Sequence, residues 1–192
     1  MMKMTILEIM TFLRQVLMKN NELIGKSINI RLVEEKDAEF ITSLRVDPRY
    51  NTHLSQVDGD VEKQREWIRK YKSEEKLGKQ YYFVIEDKNN VKCGTVRLYD
   101  FCGDSFCWGS WILNENKTRF SALESAFLVY EYAFKVLGFK KSHFDVRKEN
   151  TKVIAFHKKM GAIFLGEDEL NNYYEIYPDS VWALKNKLSG KV

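Results

Sequence analysis

A chain of 192 residues that is 44% apolar and 14% aromatic carries enough hydrophobic surface for one well-buried core, which excludes a disordered chain and a string of domains. Its 31 lysines and arginines against 27 aspartates and glutamates leave a net charge of only +4, too small a surplus to argue for a nucleic-acid partner. No stretch approaches the roughly 18 apolar residues of a membrane span, and Cys93, Cys102 and Cys107 lack redox or metal-ligand spacing, so they read as reduced core or edge residues of a cytoplasmic protein with no metal expected.

The N-terminus places Ile6, Ile9, Met10, Leu13, Val16 and Leu17 at helical spacing, while Glu8 and Arg14 break any signal-peptide core. An amphipathic helix is expected there: a packing helix, a dimer contact, or sequence upstream of a start at Met18. Residues 1–25 are therefore set apart from a single domain over 26–192. Ile28, Ile30 and Leu32 then alternate as a strand, before Phe40, Ile41 and Leu44 change to the period of a helix that stops ahead of Pro48. A second helix follows in VEKQREWIRKY, with Trp67, Ile68 and Tyr71 on one side. QYYFVIED, VKCGTVRLYDF and FCWGSWIL read as three strands joined by short turns, hence an antiparallel meander. A helix over 122–137 would bury Leu123, Phe127, Tyr130 and Phe134, with Ser121 and Glu124 offering an S-x-x-E capping box at its start.

The run SHFDVRKENTKVIAFHKKMGAIF reads as strand, asparagine turn, short helix and glycine stop. Phe144 and Val146 alternate, Asn150 turns the chain, Val153, Ile154, Phe156 and Met160 make an apolar face, and Gly161 ends it. A strand pair through 163–166 and 173–177 and a helix over 178–188 complete the chain.

Two of these segments carry a resemblance. N-T-K-V-I-A-F-H-K-K-M-G-A is similar to the N-x-x-(A/S)-x-x-(L/F)-(Y/H)-x-K-x-G-(F/A) segment of the GNAT superfamily of N-acetyltransferases, with Asn150, Phe156, His157, Lys159 and Gly161 on the pattern. VKCGTVRLYD and CWGSWILNE together resemble the strand hairpin of that superfamily's branch that acetylates protein N-termini and small amines. The resemblance covers about 26–178. It implies an α/β (α+β) GNAT fold, with a mixed, mostly antiparallel sheet of about six to seven strands flanked by helices. It also implies direct transfer of an acetyl group from acetyl-CoA to a primary amine, without a metal.

Such a transfer needs a cradle for an anionic cosubstrate, a proton acceptor for the amine and a donor for the departing thiolate. The resemblance sets the pyrophosphate on Lys117, Thr118, Arg119, Phe120, Ser121 and Ala122, beside Ile112 and Leu113 of the preceding strand. Thr118 and Phe120 stand where the family has glycine, while Lys117 and Arg119 supply two cations. Asn150, Phe156 and Lys159 are further implied cofactor contacts; Asn150 is otherwise a turn residue and Lys159 a solvated one. His157 falls where the family more often has a tyrosine that protonates the thiolate, so it either donates there or packs.

Cys107 replaces the family's strand glutamate, which leaves Asp100 and Asp104, the nearest carboxylates in sequence, as candidate bases acting through water; both also suit turns. With no histidine or basic residue adjoining it, Cys107 is disfavoured as a nucleophile. Arg45, Asp47, Tyr50 and His53 lie in the loop where relatives shape the acceptor site, and Tyr99 and Trp108 offer rings to a sugar or base. By analogy the expected acceptor is an amino-sugar nucleotide, with protein α-amines or antibiotics as alternatives. The missing loop glycines favour a third reading, a catalytically silent acyl-CoA-binding module. The expected partners are acetyl-CoA and a small amine, in a monomer or a homodimer, without nucleic acid or membrane.

Overall fold

Alternation of side chains settles most of the sheet. In Ile28–Leu32 the three apolar residues are buried while Asn29 and Arg31 are half-exposed. In Tyr81–Asp87 the first six residues are buried, because Tyr81, Phe83 and Ile85 enter one hydrophobic cluster and Tyr82 and Val84 another on the opposite face. The computed structural model describes residues 22–52, 55 and 57–190; the expected N-terminal helix and His53 lie outside them.

Among the described residues eight strands form one sheet: β1 Glu22–Ile24, β2 Ile28–Leu32, β3 Tyr81–Asp87, β4 Lys92–Cys102, β5 Ser105–Leu113, β6 Lys141–Arg147, β7 Ile163–Glu167 and β8 Asn171–Ile176. Their order is β1-β2-β3-β4-β5-β6-β8-β7, antiparallel throughout except where β5 meets β6. The mixed sheet and the fold class are those expected. The count exceeds the six to seven strands anticipated because Glu22–Ile24 pairs with β2 as an edge strand, and three residues are too few for alternation to be visible in sequence.

On one face lie α1 (Ala38–Val46) and α2 (Val61–Lys76), packed over Tyr82 and Val84. Asp60 caps α2, its carboxylate accepting hydrogen bonds from the Glu62 and Lys63 amides. The other face carries the larger core and α3 (Ser121–Glu131), which runs on into a π-helical turn, Tyr132–Val136. The helices α4 (Thr151–Lys159) and α5 (Pro178–Lys187) contribute Val153, Phe156, Val181 and Trp182 to the same core. Every residue of α3 from Glu124 to Tyr130 is buried, so this helix is covered all round, and Leu123 and Phe134 of the expected single face are only half-buried.

The capping box expected at its start does not form. Ser121 is the first helical residue, and its Oγ accepts a hydrogen bond from the Thr118 amide at 2.8 Å. The Glu124 carboxylate turns instead to the link between β1 and β2, accepting from the Ser27 amide (2.8 Å), the Ser27 hydroxyl (2.7 Å) and the Ile28 amide (3.3 Å). A buried carboxylate requires several donors, and the link supplies three where the helix start could supply one. Gly25 permits that approach, since a Cβ there would stand 2.7 Å from Glu124 Oε2.

The feature that positions a site is a fork. Strands β5 and β6 pair only at Ser105–Lys141 and Phe106–Ser142, then diverge. At the divergence the β4–β5 register slips between Thr95–Ile112 and Arg97–Gly109, which leaves one extra residue in β5 and Ser110 at φ 46°.

Candidate active site

The fork opens a cavity of about 230 Å³ bordered by Tyr99, Trp108, Gly109, Ser110, Asp145 and His157. A second cavity, of about 440 Å³, shares Trp111, Asn150 and Val153 with the first and extends past Ile112 and Leu113 to Arg49 and Tyr50. The two make one groove along the freed edge of β5.

The period of β6 assigns its residues to two environments. Ser142, Phe144 and Val146 are buried in the core, while His143, Asp145 and Arg147 emerge on the α1/α2 face. His157, on α4, belongs to the first environment. Its ring lies 4.2 Å from that of Phe144 and 5.3 Å from that of Trp108, only 5% of it is exposed, and its Nδ1 has no hydrogen-bond partner among the described residues. Burial pushes its pKa down to about 4, so at neutral pH it is an uncharged imidazole.

Tyr99 and Cys107 face each other across β4 and β5. The Tyr99 hydroxyl lies over Gly109, where an added Cβ would be 2.9 Å from it, so the glycine is what lets the phenol reach the fork. Burial raises the pKa of the Tyr99 phenol, and it pushes the Cys107 thiol up to about 11, which leaves Cys107 protonated and poorly nucleophilic. The charge of Asp145 adds to both shifts, which places its carboxylate close to the two groups. Among the described residues the Asp145 carboxylate makes no hydrogen bond or ion pair.

Of the candidate bases, neither Asp100 nor Asp104 borders the groove. Asp100, at φ 51°, has its carboxylate 3.1 Å from His143 Nε2, and His143 Nδ1 is 2.7 Å from Ser105 Oγ. Asp104 sits in the β4–β5 turn at the closed end of the fork, its carbonyl accepting from the Lys140 amide at 2.8 Å. The apolar alternation of SHFDVR does not by itself single out Asp145 and Arg147. The signal it does carry is that burying Phe144 and Val146 puts both charges on the open face.

Lys117, Thr118, Arg119, Phe120, Ser121 and Ala122 gather at the start of α3, beyond the open end of β5. No residue between 115 and 122 has a positive φ, so side chains at Thr118 and Phe120 cost the backbone nothing. Hydroxyls set the loop's shape instead: Thr118 Oγ1 is 2.8 Å from Ser27 Oγ and 2.9 Å from Ser121 Oγ. Lys117 and Arg119 are exposed, the latter 5.4 Å above the Phe120 ring.

Asn150 lies where the two cavities meet, and its Oδ1 caps α4 by accepting from the Val153 amide at 3.4 Å. Phe156 packs 5.0 Å from the Trp111 ring, and Lys159 is exposed outside both cavities. Of the acceptor-site candidates, Tyr99 and Trp108 border the inner cavity, and Tyr50 stands at the mouth, donating its hydroxyl proton to Glu115. Arg45 is apart from them: it donates to Ser55 O (3.0 Å) and Oγ (2.7 Å) in a separate cavity beside Trp67.

A family model described as an acetyltransferase (GNAT) domain matches residues 27–163. Among solved structures, apo FdhC, described as a nucleotide-linked sugar GNAT, is 49% identical over 88% of this chain and 96% of its own, with a TM-score of 0.81. A ribosomal-protein-S5-alanine acetyltransferase of Vibrio fischeri is 17% identical over 82% of this chain and 97% of its own, with a TM-score of 0.69. A variant of the spermidine N-acetyltransferase SpeG of Vibrio cholerae is 18% identical over 82% and 98%, with a TM-score of 0.68. The latter two are similar in fold alone. A comparison with curated proteins returned no match.

Proposed function

The chain belongs to the GNAT family of acetyltransferases, and from that premise we propose that it transfers an acetyl group from acetyl-CoA to the primary amine of a nucleotide-linked amino sugar. The observation that carries the chemistry is the fork, where a carboxylate without a partner among the described residues, a protonated phenol and freed strand backbone surround one cavity. The acceptor follows from FdhC, whose description as a nucleotide-linked sugar GNAT comes with 49% identity over nearly its whole length.

The residues present fit acetyl-CoA. The first-turn amides of α3 favour an anion, Lys117 and Arg119 balance the charge of a pyrophosphate, and the hydroxyl-braced loop does so without glycines. Ile112, Leu113 and the Asn150 amide border the outer groove, where the pantetheine arm would lie against the unpaired strand edge. When bound, the thioester supplies an activated acyl carbon and a thiolate leaving group.

Asp145 accepts a proton from the acceptor's ammonium, because its carboxylate is unengaged among the described residues and it borders the cavity. Tyr99 keeps its proton at neutral pH, which equips it to donate a hydrogen bond where negative charge collects. His157 offers a neutral N–H and an aromatic wall. With a pKa of about 4 it is not an imidazolium acid at pH 7.

The test is thiol release from acetyl-CoA with four acceptors: a nucleotide-linked amino sugar, the free amino sugar, spermidine and an alanine-initiated peptide. The nucleotide-linked sugar should exceed spermidine and the peptide by about 100-fold or more in kcat/KM. Equal or reversed preference would remove the acceptor assignment.

A further inference from the structure

We propose that Asp145 and Arg147 act as a two-charge reader, Asp145 taking the ammonium and Arg147 the phosphate of an amino sugar esterified to phosphate. The assignment rests on the acceptor reading above and deepens it. Both residues sit on the open face of β6, two positions apart, so their Cα atoms are separated by roughly 6.7 Å. A lone Asp and Arg so placed are near enough to bridge. They do not, and among the described residues neither side chain has any other hydrogen-bond or ion-pair partner.

Some nearby charges are paired. Lys148 pairs with Glu167 at 3.0 Å, Lys141 with Glu175 at 2.5 Å, and Arg49 with Asp47 at 2.6 Å. Glu149, Lys152 and Glu169 also make no ion pair among the described residues, so what singles out Asp145 and Arg147 is their position on the cavity. Arg147 also borders two spaces at once, the inner cavity that holds Asp145 and an outer cavity of about 370 Å³ reached past Thr52, Ser55 and Lys148. A ligand that crosses from one to the other passes both charges in turn.

The chemistry selects among amines. In an amino sugar linked to phosphate, a cation and an anion are held apart by one rigid ring, and a guanidinium can grip phosphate through two parallel hydrogen bonds. A polyamine brings cations to both positions and is repelled at Arg147; a peptide α-amine brings no phosphate. Glu149 and Glu169, which border the outer cavity, suit sugar hydroxyls, and Lys148 beside Arg147 supplies a second cation there.

The experiment measures steady-state kinetics of the full chain with a nucleotide-linked amino sugar, the free amino sugar and spermidine, for the parent protein, Arg147→Ala, Arg147→Lys and Arg147→Glu. The expected result for Arg147→Ala is a rise of about 10- to 100-fold in KM for the linked sugar, with the KM for acetyl-CoA unmoved. Lys should recover part of the loss, and Glu should abolish use of the linked sugar while improving spermidine. Protection against thermal unfolding by the nucleoside diphosphate alone should weaken in the Ala and Glu variants, a readout that needs no turnover. Unchanged KM and unchanged protection in all three variants, with the linked sugar still acetylated by the parent, would overturn the role of Arg147 and leave the acceptor reading standing. If the parent acetylates spermidine or a peptide but no sugar, the acceptor reading falls and the two-charge assignment falls with it.

Discussion

The two faces of the β5–β6 fork are built from alternate residues of the same strands, yet they do opposite things. On the α3 side Phe106, Trp108, Phe144, Tyr130 and His157 close into an aromatic core, and even the imidazole is held neutral there. On the α1/α2 side Asp145 and Arg147 are exposed and border the cavity together with half-buried Tyr99. The contrast teaches that a residue's place on a family pattern and its place in the solvent are separate matters. His157 sits on the pattern and is buried; Asp145 is off it and exposed at the cavity.

The largest effect should come from the open face. Asp145→Asn is expected to lower kcat by about 100- to 1,000-fold, with the melting temperature unchanged because the carboxylate has no partner among the described residues. Asp100→Asn should cost less than about 3-fold. If the order were reversed in pH–rate measurements on both variants, the proton path would run through His143 instead.

The closed face should answer in stability. Glu124→Ala strands the Ser27 and Ile28 donors inside the protein, and urea titration should show a loss of about 2–4 kcal/mol. A loss below about 0.5 kcal/mol, the range of ordinary surface changes, would show that water replaces the carboxylate there.

His157 sharpens the comparison through pH. Its folded pKa of about 4 lies below the unfolded value near 6.5, so between these values the unfolded chain binds the extra proton. Its stabilising contribution is complete above pH 6.5 and is lost as pH falls toward 4. Between pH 7 and pH 5 this group should cost the parent protein about 2 kcal/mol that His157→Phe does not lose. On the rate side, His157→Phe should lower kcat by less than about 10-fold. A loss of about 10- to 100-fold at unchanged coenzyme affinity would make the neutral N–H a donor to the departing sulfur.

The smallest effect belongs to the exposed cations. Lys117→Ala with Arg119→Ala should raise the KM for acetyl-CoA by about 5-fold at low salt and less at high salt, since both side chains are solvated. No change at any ionic strength would mean that the amides of the α3 start suffice alone.

Periodicity was enough to place seven of the eight strands and the five α-helices among the described residues, because alternation and the 3.6-residue repeat report which side of an element meets the core. It also placed Asn150 at the start of α4 and Gly161 after its end. What sequence could not weigh was the cost of particular contacts. The glycine-free loop looked like damage until the fold brought Ser27 beside Thr118 and showed that no residue there needs a positive φ. Glu124 looked like a cap, but the β1–β2 link, nearly a hundred residues earlier in the chain, offered it more donors. Asp100 and Asp104 were near Cys107 in sequence, whereas Asp145, 38 residues beyond it, is the carboxylate that the parallel pairing of β5 with β6 carries to the fork. Local pattern fixes which residues turn inward on each element. Which outward residues meet one another depends on strand order and on where pairing stops, and those are decided only when the whole sheet closes.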